Sequence, residues 1–131
     1  MKIKQTTFYA LRAIHRIHLE ERNVITSSVI AGKEGLSRGV VLKVLRSLSK
    51  AGMLYAHQGR GELAGGFSLV RREEEITLLE VVDVMEKMDI CSYLEEKTGE
   101  PETALLHNCR RLNGQLREEL SKYTIQDLFE M

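Results

Sequence analysis

The residues that decide the fold are 26–52, TSSVIAGKEGLSRGVVLKVLRSLSKAG. Thr26 carries a short side-chain oxygen of the kind that caps a helix, and Gly35 is the residue type that most readily ends one. Ser37 repeats the capping signal immediately, and Ala51-Gly52 repeats the stop. The spacing predicts two short helices, 27–34 and 38–50, joined by a turn of a few residues containing a glycine. That pattern is a helix-turn-helix.

Upstream of it, Phe8 to about Glu20 reads as a further helix. Its apolar Ala10, Leu11, Ala13, Ile14, Ile17 and Leu19 cover more than half the circumference, too wide a stripe for one neighbour. Downstream the period changes. Met53–His57 and Gly66–Val70 are short β-compatible runs around Gly59-Arg60-Gly61-Glu62-Leu63-Ala64-Gly65, which predicts a hairpin with a glycine-rich tip. Three helices followed by a hairpin make a winged helix-turn-helix, so the expected class is mainly α with a small β wing.

The rear half carries different signals. Thr77-Leu78-Leu79-Glu80 is a capping box that opens a helix to about Met88. Pro101 suits the first turn of a longer helix ending near Lys122. Within it Leu105, Cys109, Leu112, Leu116 and Leu120 recur at spacings of 4, 3, 4 and 4, one apolar seam on an otherwise polar helix. Such a seam predicts pairing with a second copy of the chain. Thr124-Ile125-Gln126-Asp127 can cap a last short turn. The expected division is 1–75 for a DNA-binding winged helix-turn-helix domain and 76–131 for dimerisation and sensing.

With 131 residues, 43% apolar and 29% charged, the composition is that of one globular domain that needs no disulfide framework. No apolar run approaches the roughly 20 residues that span a bilayer. Met1–Thr7 lacks the form of a secretory signal, so a cytoplasmic protein with no membrane partner is expected. The formal net charge is zero, yet it is divided unevenly. Residues 1–72 hold 13 Lys/Arg against 4 Asp/Glu, and residues 73–131 hold 6 against 15. From Gly35 to Gly61 there are five basic residues and no acid. An asymmetry of this kind points the front half at a polyanion.

On a helical wheel of 38–50, Val41, Val44, Leu45 and Leu48 share the side that must be buried. Gly39, Lys43, Arg46 and Lys50 share the opposite side, with Arg38 at the leading end. The major groove admits one α-helix, whose N-terminal residues reach the base edges. Lys43 and Arg46 are thus candidates for guanine edges or phosphates, and Ser37 and Arg38 for the DNA backbone. Gly39 leaves room for close approach. Lys50 extends the basic face, and His57, Gln58 and Arg60 are placed at the wing. The bland reading of the same residues is a solvated basic face. The turn, the wing and the charge division together favour double-stranded DNA.

Competing chemistries lack their motifs. No Gly-Lys-Ser/Thr follows the glycines, so there is no phosphate-cradling loop, and the run after them reads as strand rather than the helix of a dinucleotide site. No paired carboxylates or base–nucleophile pair stand out, and an enzyme is not expected. A winged-helix protein-interaction adaptor is the remaining rival, motivated by Glu62 in the wing.

Several stretches together resemble one family. Met1-Lys2-Ile3 with Tyr9-Ala10-Leu11-Arg12-Ala13, the Leu48-Ser49-Lys50-Ala51-Gly52-Met53-Leu54 junction, Gly65-Gly66-Phe67-Ser68-Leu69, Glu75-Ile76-Thr77-Leu78-Leu79-Glu80-Val81-Val82 and the closing Tyr123-Thr124-Ile125-Gln126-Asp127-Leu128 are similar to the Rrf-two family, the group of IscR, NsrR and CymR. Those are bacterial winged-helix transcription regulators. The resemblance covers nearly the whole chain in order. It implies a homodimer on a pseudo-palindromic operator, most simply a repressor.

The sensing region departs from the family pattern. Cluster-binding members carry three cysteines before the dimer helix, and here that loop holds only Cys91. Two thiols need other ligands to complete a [2Fe-2S] site, and His15 or His107 are the candidates beside Cys91 and Cys109. The alternatives stay open: Cys109 as a filler of the dimer seam, His15 and His18 as ordinary surface or interface residues, a metal-free thiol pair, or a regulator answering another ligand. No spacing matches a familiar structural zinc site.

Overall fold

The computed structural model describes residues 3–20, 23–59, 65–86 and 104–130. Helices α1 (Gln5–Leu19), α2 (Ser27–Glu34) and α3 (Arg38–Lys50) precede strands β1 (Leu54–His57) and β2 (Gly66–Leu69). A 3-10 turn (Glu73–Glu75) leads to α4 (Leu78–Met85), and α5 (Ala104–Ser121) and α6 (Ile125–Glu130) complete the described chain. The expected mainly helical winged fold is what forms.

The caps behave as the sequence dictates. Thr26 Oγ1 accepts from the Val29 N–H at 3.3 Å, and Ser37 Oγ accepts from the Val40 N–H at 3.3 Å. Gly35 sits at φ 67°, the left-handed conformation that closes α2 without a Cβ penalty. Thr77 and Glu80 complete a capping box at the start of α4.

The wing is an antiparallel pair in the register Leu54↔Leu69, Tyr55↔Ser68, Ala56↔Phe67 and His57↔Gly66. Ile25 adds a one-residue bridge on the free edge, exchanging bonds with Phe67 at 3.0 and 2.8 Å. A Cβ on Gly66 would come within 2.7 Å of the Ile25 carbonyl oxygen, so glycine is required where these backbones meet.

One hydrophobic core holds the molecule together. Ile14 of α1, Ile30 of α2, Val41, Leu45 and Leu48 of α3 and Leu54 of the wing are all buried in it. Ile76, Val81 and Ile125 belong to the same cluster, so the core runs without a break from the front half into the rear. The chain after α5 returns to this point: Leu78 N–H donates to the Tyr123 carbonyl at 2.8 Å, and Ile125 N–H to that of Ile76 at 2.9 Å.

Two boundaries differ from expectation. The helix expected to reach about Met88 ends at Met85, because Glu86 turns into extended backbone. Its Oε1 accepts from the Lys4 N–H at 2.6 Å and from Thr7 Oγ1 at 2.7 Å, capping α1 from outside that helix. The Thr7 hydroxyl and the Lys4 N–H hold this carboxyl below its ordinary value. With that external cap, α1 begins at Gln5 rather than Phe8. The 3-10 turn was not anticipated either, since three consecutive glutamates carry no apolar periodicity.

Leu45 has no exposed surface, and Leu45→Ala should lower unfolding free energy by about 2–5 kcal/mol in urea titrations, with the m-value unchanged.

Candidate nucleic-acid interface

The orientation of α3 follows from its composition. Val41, Val44, Leu45 and Leu48 are at most 2% exposed, which turns the other side outward. Ser37, Arg38, Gly39, Lys43, Arg46 and Lys50 are all exposed. Gly39, Leu42, Lys43, Arg46, Ser47 and Lys50 line a shallow hollow of about 280 Å³ along this face. A Cβ built on Gly39 meets nothing within 4 Å, so the glycine there is not demanded by packing.

A network of charges fixes the helix below it. Glu34, last residue of α2, places Oε1 3.0 Å from Arg12 Nε and Oε2 2.7 Å from Arg16 Nε, both on α1. Arg12 also donates to the Glu34 carbonyl, satisfying a group that the helix end leaves open. Lys33 reaches Glu20 at 2.7 Å. Burial pushes the Glu34 carboxyl up, but hydrogen bonds and charge from Arg16 and Arg12 outweigh it and hold the group below its ordinary value. The turn at Gly35 and the start of α3 are thereby tied to α1.

These pairings change the meaning of the charge count. Among the described basic residues of 1–72, Arg12, Arg16, Lys33, Arg71 and Arg72 face acids, and Lys4 donates to the Met85 carbonyl. The four with no such partner are Arg38, Lys43, Arg46 and Lys50. All four belong to α3. Among the described residues of 1–72, the cations left for an outside partner therefore all stand on α3, beside a two-stranded wing.

A family model described as "Iron-dependent Transcriptional regulator" matches residues 3–131. The chain belongs to the Rrf2 family. It is a DNA-binding transcription regulator and not an enzyme. A protein of Aquifex aeolicus that carries the name of an HTH-type transcriptional regulator is 26% identical over 137 residues, covering 100% of this chain and 93% of that one. T. potens IscR superposes with a TM-score of 0.71 at 19% identity, over 99% of this chain and 87% of that one. CymR, the global cysteine regulator of B. subtilis, gives 0.70 at 23% identity, over 98% and 95%. Likeness at that identity shows a shared Rrf2 fold.

The remaining sequence candidates are scattered. His57 closes β1 and is exposed, with Nε2 2.8 Å from Ser68 Oγ. Gln58 follows it, exposed, and Arg60 lies outside the described residues. On α5, Leu105 is 60% and Leu112 50% exposed, Cys109, Leu116 and Leu120 are half-buried, and Leu106 instead faces inward. The seam is thus an outward apolar face. His107 is exposed, and Cys91 lies outside the described residues.

His15 has a different neighbourhood from the one expected of a ligand. Its Nδ1 lies 2.5 Å from Glu73 Oε1, and its ring stacks on Phe129 with centroids 3.9 Å apart. His18 Nε2 is 3.2 Å from Glu73 Oε2, without hydrogen-bond alignment. Two imidazoles thus face the buried Glu73 carboxylate of the 3-10 turn. Among the described residues, no three His, Cys, Asp or Glu side chains are arranged to hold a metal ion. Sequence spacing could not reveal the Glu34 or Glu73 contacts, whose partners lie 18 to 22 and 58 residues away.

For Glu34 the folded value lies below the ordinary 4.5, so the clamp's stabilisation is complete above that pH and is lost as pH falls through the lower folded value. The gap in melting temperature between wild type and Glu34→Gln should be full above pH 4.5 and close on acidification.

Proposed function

We propose that this chain is a homodimeric repressor that binds a pseudo-palindromic operator through α3 and the wing. The observation that carries this reading is the set of unpaired cations on α3, with Lys43, Arg46 and Lys50 on the side opposite its buried stripe and Arg38 at its leading end. In the groove, Lys43 and Arg46 would meet guanine edges or phosphates, with Ser37, Arg38 and Lys50 on the backbone. Gly39 would admit the helix closely, and His57, Gln58 and Arg60 would serve the wing's contact. Each cation set on a phosphate releases condensed counterions, which makes affinity steeply salt-dependent.

Dimerisation is assigned to the outward face of α5, with Leu105, Cys109, Leu112, Leu116 and Leu120 as its seam. Two copies joined there would set their reading helices about 34 Å apart, one turn of DNA. In this division of labour residues 1–75 read DNA and 76–131 pair and sense. An operator target places the protein in the cytoplasm, and no described helix is long and apolar enough to cross a membrane.

The family description names iron, and a [2Fe-2S] cluster on Cys91 and Cys109 with His15 or His107 is the form the sequence invites. Of these donors, Cys109 and His107 stand on α5, His15 faces Glu73 and stacks on Phe129, and Cys91 lies outside the described residues. No step is therefore routed through a cluster. Redox input is assigned to the thiols of Cys91 and Cys109 themselves, acting on the geometry between α4, α5 and the reading heads.

Operator duplex from the chain's own promoter should bind with a strongly negative slope of affinity against salt. Lys43→Ala or Arg46→Ala should cost tenfold or more in affinity and flatten that slope by about one unit per lost phosphate contact. A salt-insensitive complex that survives both changes contradicts the groove assignment. Leu112→Glu should give monomers in sedimentation and lose operator binding, while thermal unfolding of the monomer stays cooperative. An oxidant should change operator affinity of wild type but not of the Cys91→Ala/Cys109→Ala variant, with iron and sulfide assays on anaerobic protein reporting any cluster.

A further inference from the structure

The exposed surface of α3 between Arg38 and Lys43 is not basic. Its cations stand at Arg38 and from Lys43 onward, and between them the surface is Gly39 and Val40. Val40 is 37% exposed, whereas the other valines of α3, Val41 and Val44, are at most 2% exposed. At 3.6 residues per turn, Val40 lies roughly 60° around the helix from Lys43 and roughly 40° from the buried Val44, at the edge of the outward half. Helical side chains tilt toward the N-terminus, so its isopropyl group projects over the Ser37 cap. That is the end of a reading helix that enters the groove first.

Hydrogen-bonding capacity is correspondingly low between Arg38 and Lys43. The Val40 N–H already donates to Ser37 Oγ, and Gly39 has no side chain to offer. A Cβ at Gly39 would meet nothing within 4 Å, so the recess beside Val40 is open. Next to the polar Ser37 and Arg38, what Gly39 and Val40 present to a base pair is an apolar side chain beside open space. In the major groove the one apolar feature of a base edge is the 5-methyl of thymine.

We propose that Val40, with the clearance left by Gly39, reads a thymine methyl in each half-site. Specificity for an A·T pair at that position would come from this contact, while the row of cations supplies affinity without regard to sequence. The inference rests on the DNA-binding reading above and adds to it the identity of one recognised base.

The test uses full-length protein. A random duplex pool is selected with wild type, and each thymine of the enriched site is replaced singly by deoxyuridine, which removes only the methyl. Binding is read by fluorescence anisotropy at fixed salt. One thymine per half-site should weaken binding by about fourfold on losing its methyl, the factor for exposing one buried methyl group. Val40→Ala should bind the thymine and uracil duplexes equally, with unchanged circular dichroism and melting. Gly39→Ala, which meets no atom of the protein itself, should lose affinity for the thymine duplex by filling that open space. Uracil substitution without effect at every position, or a methyl effect that persists in Val40→Ala, overturns the base assignment alone. A pool from which wild type enriches nothing overturns the DNA-binding reading and this inference with it.

Discussion

The structure depends on the burial of one helical stripe. Val41, Val44, Leu45 and Leu48 leave water by facing the core that α1, α2, β1 and α4 share with them, and removing four such side chains from solvent outweighs any preference of the opposite face. Rotation of α3 about its axis is then fixed to within the width of that stripe. Every outward property of the helix follows from the choice: where its cations stand, where Gly39 leaves space, and which valine remains in solvent.

Electrostatics refines what packing begins. A net count of +9 in the front half overstates the field available to a partner, since many of those cations are spent on Glu20, Glu34, Glu74 and Glu80. The Glu34 carboxylate shared by Arg12 and Arg16 is partly shielded from water, and a network of this kind holds geometry better than an isolated surface pair does. What is left over is directional. Among the described residues of the front half, the cations left over stand on α3, where a polyanion's approach is steered as well as stabilised.

Much of the fold was legible because its signals are local. Thr26, Gly35, Ser37 and Thr77 each act within a few residues of themselves, and α2, α3 and α4 start where those signals put them. The outward face of α3 was likewise fixed by a period of 3.6 residues. Contacts across long separations were not legible. Glu86 reads as one more acid near a helix end, yet it caps a helix 79 to 82 residues earlier. Glu73 reads as part of a solvated acidic run, yet its side chain is 1% exposed and His15 and His18 face it. Composition gave the rear half its acids but not their partners. His15 was legible as a histidine on the first helix, and only the fold shows it against Glu73 and Phe129.

The external cap on α1 bears on how the molecule can be divided. The Lys4 amide and Thr7 hydroxyl have their acceptor beyond residue 75, and Ile76, Val81 and Ile125 fill the same interior as Ile14 and Leu45. A fragment cut at that boundary would lose the lid of its own interior and the fastening of its first helix. The DNA-reading part is therefore not a bead on a string.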